Sequence, residues 1–220
     1  MIRRLVPVVF VFAACAHEGG QHQGGHHQHS GQHRFDDAEA WAKRFENPSR
    51  DAWQKPDEVI AALALAPDAK VADIGAGTGY FPVRLARAVP QGHVYGVDVE
   101  SAMVKYLAAR AEREKLGNLS AVLADFDDAK LPEAVDLVIL VNTYHHIDAR
   151  PAYFKKLQAS VKPGGRLAIV DFTRASKMGP PADHKVPPEQ VRQELQQAGW
   201  TFERAHDFLP EQFFYVFTRG

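Results

Sequence analysis

The chain has 220 residues and a formal net charge of -1, with 45% hydrophobic and 24% charged residues. That is the balance of a soluble globular protein with room for one α/β domain and a short extension. The near-neutral charge argues against a broad nucleic-acid interface, and the single cysteine, Cys15, excludes an intrachain disulfide, a Cys-rich zinc site and a thiol relay.

Residues 1–15 read as an export signal. Arg3 and Arg4 precede a short apolar stretch, Leu5 to Ala14, well below the about 20 residues a membrane-spanning helix needs. Phe12-Ala13-Ala14-Cys15 resembles the lipobox of bacterial lipoproteins, with Phe12 where Leu is usual. The resemblance implies a lipidated Cys15 and an exported domain on the periplasmic face of a membrane; without export the domain is cytoplasmic. Residues 16–35 are rich in His, Gly and Gln and hold too little apolar surface for a core, so a disordered tether is expected. Loose binding of Zn²⁺, Cu²⁺ or Ni²⁺ by its imidazoles is a second reading of the same tract.

From residue 36 to 220, helix and strand patterns alternate, which predicts one α/β domain on a mostly parallel sheet. Asp36-Asp37 can cap a first helix carrying Trp41 and Phe45. Residues 36–56 read either as a lid with Arg50 and Trp53 or as a surface cap. A helix opens at Lys55-Pro56-Asp57-Glu58. Strands are expected at Val71–Ile74, His93–Asp98, Leu119–Ala124, Val135–Val141 and Arg166–Phe172. Helices are expected at about Gly79–Val89, Ser101–Lys115, Arg150–Val161 and Pro187–Ala198. Thr201–Asp207 and Phe213–Thr218 read as two last strands around Pro210. Residues 177–185 are a pocket wall or a loop.

The strongest signal is Asp73-x-Gly75-x-Gly77-x-Gly79, between a strand and a helix. Glycine there permits positive φ and close approach of backbone to a ligand. Asp98 ends the next strand, where a carboxylate can take both hydroxyls of a ribose. Loop plus acid points to an adenosine-containing cofactor. The third glycine comes one residue early for a dinucleotide fingerprint, with Tyr80 in its place, and Asp73 would repel a pyrophosphate but suit a sulfonium and an ammonium.

Val71 to Tyr80 resembles motif I of the class I (Rossmann-like) S-adenosylmethionine-dependent methyltransferases. Asp98 matches that family's ribose-binding acid, and Asp125-Phe126 its adenine-binding position. Lys162-Pro163-Gly164-Gly165-Arg166 is similar to its turn before the fifth strand. The similarity runs from about Asp57 to Arg219. It implies a seven-stranded, mostly parallel sheet with the last strand antiparallel and helices on both faces. S-adenosylmethionine is the implied cofactor, held by Asp73, Gly75, Gly77, Gly79, Asp98, Asp125, Phe126 and Asn142.

Methyl transfer leaves the protein to align the nucleophile, exclude water and sometimes remove a proton. Tyr144, His145 and His146, in the loop after the fourth strand, are the catalytic candidates. Either His can be a base near neutral pH, or one can support the loop while the other packs on Tyr144. A metal site at the pair is disfavoured because neighbouring side chains on a strand diverge. Three readings remain: a methyltransferase acting on a small molecule, a membrane-tethered non-catalytic module binding a ligand or metal, and a nicotinamide oxidoreductase, which the glycine spacing disfavours. Nothing in the sequence sets the methyl acceptor or an oligomeric state.

Overall fold

The computed structural model describes residues 37–220. The export signal, the lipobox-like end and the His-rich tract lie outside the described residues.

Seven strands form one sheet: β1 (Lys70–Ile74), β2 (His93–Asp98), β3 (Leu119–Leu123), β4 (Val135–Val141), β5 (Val161–Phe172), β6 (Trp200–His206) and β7 (Gln212–Arg219). Their order is β3-β2-β1-β4-β5-β7-β6. The first five are mutually parallel, while β7 is antiparallel to both β5 and β6. The helices are α1 (Ala38–Phe45), α2 (Ser49–Gln54), α3 (Pro56–Ala62), α4 (Tyr80–Ala88), α5 (Ser101–Arg113), α6 (Arg150–Leu157) and α7 (Pro188–Gln197).

Alternation along the strands builds two cores. On β4, Leu137, Ile139 and Val141 belong to one cluster with α3, α4 and α5, while Val138 and Leu140 belong to the other with α6 and α7. A strand buried on both faces has to be apolar throughout, which is why β4 lacks a polar–apolar alternation. Asp37 caps α1, its Oδ1 accepting from the Ala40 N–H at 3.0 Å.

Two elements depart from the expected pattern. Helix α6 stops at Leu157 and strand β5 begins at Val161, not Arg166. The Pro163-Gly164-Gly165 turn is a bulge inside that strand: β4 pairs Val135 with Val161, then Leu137 with Arg166. Between Pro48 and Pro56 lies α2, whose six residues are too few for a sequence period.

The chain steps outward from β1 to β2 and β3, then crosses from β3 to β4 on the other side of β1, so the sheet order reverses at β1. In open α/β sheets the crevice at such a point, beyond the carboxyl ends of the strands, receives ligands.

Candidate cofactor and acceptor site

The glycine loop fills the carboxyl end of β1. The Gly75 and Ala76 N–H groups donate to the Val97 carbonyl at 2.8 and 3.0 Å. The Gly77 N–H donates to Asp98 Oδ2 at 2.8 Å, and the Glu100 N–H donates to Asp98 Oδ1 at 2.9 Å. Asp98 therefore shapes the loop as well as presenting a carboxylate beside it. Burial raises its pKa, opposed by those two N–H groups. Gly75 has φ +79°, and a Cβ there would sit 2.2 Å from Thr143 Oγ1, so the loop passes directly against the chain leaving β4. Gly77 lies under the Phe45 ring, and Gly79 packs on Leu107 of α5.

Asp73, at the end of β1, is buried. Burial pushes its carboxyl up to about 7, Arg50 pulls it back, and Asp98 pushes further. Thr78 Oγ1 is buried without a hydrogen-bond partner among the described residues.

Beyond β2 and β3, a hollow is lined by Val99, Glu100, Ser101, Leu123, Ala124, Asp125, Phe126 and Asp127. Val99, Leu123 and Phe126 are the large apolar side chains left exposed among the described residues, at 37%, 51% and 55%. Apolar groups gathered in a polar-rimmed hollow suit a flat ring. Asp125 is at its edge, in an ion pair with Lys130 at 2.6 Å.

The segment before motif I lies against the glycine loop and the ends of β4 and β5. Arg50 of α2 donates from Nη1 to the Phe45 carbonyl at 2.9 Å. Its guanidinium lies 3.9 Å from the centre of the Tyr80 ring, whose Oη donates to Asp51. Glu46 pairs with Arg110 of α5 at 2.7 Å, and Arg110 Nη1 donates to the Thr78 carbonyl at 3.0 Å. Trp53 packs on Phe172 with ring centres 5.8 Å apart. Gln54, fully buried, is linked to Gln212 and Asn142, and Gln212 in turn donates to Asn142 Oδ1. The Asn142 side chain thus belongs to an amide cluster joining α2, β4 and β7.

After β4, residues 144–146 form a 3₁₀ turn. The His145 and His146 rings pack 4.1 Å apart instead of diverging, because the chain turns here and is not extended. Tyr144 is buried, its Oη donating to Glu194 at 2.7 Å and its ring stacked on Phe154. Arg150 grips the same Glu194 from Nε and Nη2 at 2.7 and 3.1 Å, clasping α6 to α7. His145 Nδ1 lies 2.9 Å from both oxygens of Asp171, a buried carboxyl at the end of β5. Facing a carboxylate, Nδ1 carries the proton and Nε2 is the basic nitrogen. Asp171 was not singled out from the sequence; its signal is a carboxylate closing the apolar run Leu167-Ala168-Ile169-Val170. Among the described residues no group of three or more His, Cys, Asp or Glu could hold a metal ion.

The residues present suit an adenosyl sulfonium. Buried Asp73 calls for a positive partner, Thr78 has an unused hydroxyl, and the apolar hollow flanks Asp98. A pyrophosphate would meet two carboxyls. Fold and site together define a Rossmann-like α/β domain of the type that binds an adenosyl cofactor at its topological switch point.

Comparison with known proteins narrows this. Residues 65–213 match the family described as "Methyltransferase domain". An uncharacterized methyltransferase of Mycobacterium tuberculosis is 34% identical over 107 residues, 48% of this chain and 52% of that protein. The chain spans about half the length of that curated relative. A crystal structure of a SAM-dependent methyltransferase from Aquifex aeolicus superposes with TM-score 0.77 at 25% identity, covering 82% of this chain and 98% of that one. Magnesium protoporphyrin IX methyltransferase from Synechocystis PCC 6803, solved with bound SAH, shares the fold at TM-score 0.66 and 19% identity, over 84% of this chain and 96% of that one. The chain belongs to the methyltransferase-domain family, and its solved structural neighbours include S-adenosylmethionine-dependent methyltransferases.

Proposed function

We propose that the domain transfers a methyl group from S-adenosylmethionine to a small molecule. The observation that carries this is the glycine loop at the switch point, hydrogen-bonded to Asp98, the residue before Val99, which lines the hollow together with Leu123 and Phe126. When bound, the cofactor supplies a methyl group already activated by a sulfonium. Asp98 accepts from the ribose hydroxyls, Val99, Leu123 and Phe126 shield the adenine, and Asp125 accepts from its amine. Gly75 and Gly77 let backbone approach the cofactor, and Gly79 lets the loop close on α5. Asn142 holds the β4 end of the crevice through its amide cluster. His145 Nε2 takes the acceptor's proton, with Asp171 fixing the ring. His146 packs on His145, Tyr144 holds the turn through Glu194, and Trp53 with Phe172 excludes water.

We place this domain, residues 36–220, behind an export signal cleaved before Cys15, which starts the mature chain, and a tether over residues 16–35. The supporting features are Arg3, Arg4, the short apolar stretch and the lipobox-like Phe12-Ala13-Ala14-Cys15. Lipidated Cys15 then anchors the protein on the periplasmic face of a membrane. Radiolabelled fatty acid should enter the wild-type chain and not Cys15→Ser; equal labelling would remove the anchor.

Asp73 gives the cofactor reading a proton signature. Its folded pKa, about 7, lies above the ordinary 3.8. The folded carboxyl holds a proton that the unfolded chain has lost, so stability falls as pH rises from about 4 through about 7. A bound cation reverses the preference and expels the proton. At pH 6.5, S-adenosylmethionine binding should release a large fraction of a proton, read by calorimetry in buffers of different ionisation heat. Asp73→Asn should reduce the release. No binding heat in any buffer would sink the methyltransferase reading; binding without release would remove Asp73 from the cation site.

A further inference from the structure

Lys185 is the least exposed Lys or Arg among the described residues, at 4%, and it takes no part in the cofactor site. A buried ammonium costs free energy unless an anion faces it. None of the described carboxylates pairs with Lys185. Asp171 is committed to His145, and Asp183 lies 4.0 Å from His184. Of the three N–H groups of a lysine, one is donated here, to the Ser176 carbonyl at 2.6 Å. The other two have no acceptor among the described residues. Nζ otherwise faces the Phe172 ring, 5.7 Å from its centre.

The position of this cation says what kind of anion it would meet. Residues 173–187 join β5 to α7 at the carboxyl edge of the sheet. They fold back on Phe172: a Cβ on Gly179, at φ +76°, would lie 2.3 Å from Phe172 Cδ2. Trp53 of α2, only partly buried, meets the same ring with centres 5.8 Å apart. Phe172 follows Asp171, which orients His145, and β5 pairs with β4, the strand that leads into His145. A cation without a counter-ion, a flat apolar indole and an oriented imidazole are thus gathered at the carboxyl ends of two neighbouring strands. The same loop carries Arg174, Lys177 and Lys185 against one acid, Asp183, a balance that draws anions toward it.

We propose that Lys185 binds a carboxylate of the methyl acceptor, and that the acceptor is a hydroxylated aromatic acid. Its ring lies against Trp53, its hydroxyl faces His145 Nε2, and its acid group supplies the counter-ion that Lys185 lacks. The assignment rests on the methyltransferase reading above and gives that reading a substrate class. It makes the β5–α7 loop the specificity element of the acceptor site.

The test compares ligands as well as variants. Full-length wild type, Lys185→Met and Lys177→Met are titrated with 3- and 4-hydroxybenzoate and with the corresponding amides. S-adenosylhomocysteine is present throughout, and its own binding is measured first. Wild type should bind at least one acid at least about tenfold more tightly than its amide, the worth of a buried charge-assisted pair. Lys185→Met should bring acid and amide within about twofold of each other, since the pair is gone. Lys177→Met should keep the preference, because Lys177 is exposed. Thermal unfolding without ligand supplies a second sign. Removing a buried charge that has no counter-ion should leave the midpoint of Lys185→Met unchanged or raise it by a few degrees. A lower midpoint would make the ammonium a brace for the loop and overturn the assignment. Equal affinity of wild type for acids and amides would overturn it too, as would an acid preference that survives in Lys185→Met. If S-adenosylhomocysteine does not bind, the methyltransferase reading falls, and the acid–amide comparison still decides for or against Lys185 as the carboxylate site.

Discussion

Asp98→Ala is expected to weaken S-adenosylmethionine binding by at least about 100-fold. Two effects combine. The variant loses the acceptor for two ribose hydroxyls, and hydrogen bonds to a charged group are worth about 1.5–3 kcal/mol each. It also releases the Gly77 and Glu100 N–H groups that Asp98 now holds at 2.8 and 2.9 Å, so the loop loses its preformed shape. Asp98→Asn is the milder change, losing part of each effect, since one of its two loop acceptors becomes a donor. It keeps one oxygen and the side-chain size but loses the charge, and should retain about a tenth of the affinity. Calorimetry reads both variants, with thermal unfolding as the control for fold. Unchanged affinity in Asp98→Ala would remove Asp98 from the site.

Gly75→Ala is expected to damage the domain more than any other single methyl addition in the loop. At φ +79° an alanine is strained, and its Cβ would lie 2.2 Å from Thr143 Oγ1 and 2.5 Å from Thr143 Cγ2. Strain costs about 1–3 kcal/mol and forced overpacking about the same again. For a domain of this size that lowers the unfolding midpoint by roughly 5–15 °C. Gly77→Ala is the contrast. A Cβ there meets the Phe45 ring at 3.6 Å, an ordinary contact, so only the strain of its positive φ remains and the drop should be a few degrees. Thr143→Ala in the Gly75→Ala background should restore part of the midpoint by removing the nearest atoms. Equal midpoints for Gly75→Ala and wild type would show that the two chain segments do not meet.

The parallel sheet was legible because its signals are local. Val135–Val141 is apolar at nearly every position, as a doubly buried strand must be, and glycines or prolines punctuate the other elements. The turn after β1 was legible because motif I compresses positive-φ glycines and a close approach into a few residues, and the place of Asp98 because it ends the next strand. What remained hidden depends on distant partners. The α2 helix has too few residues to show a period and is held by tertiary contacts: Arg50 on Tyr80, Gln54 with Asn142 and Gln212. The His145–Asp171 pair spans 26 positions, and its acid falls within what reads as a strand. Tyr144 carries no local mark that its hydroxyl is committed to Glu194, 50 positions away. Likewise, Pro163-Gly164-Gly165 reads as a turn in sequence, while pairing to β4 on either side makes it a bulge.

The central claim is an adenosyl sulfonium site, and it is tested most directly by titrating the full-length chain with S-adenosylmethionine and with NAD⁺ under identical conditions. The carboxyls of Asp73 and Asp98 and the early third glycine predict micromolar binding of S-adenosylmethionine and no measurable heat with NAD⁺. Binding of NAD⁺, or of neither compound, would contradict the account.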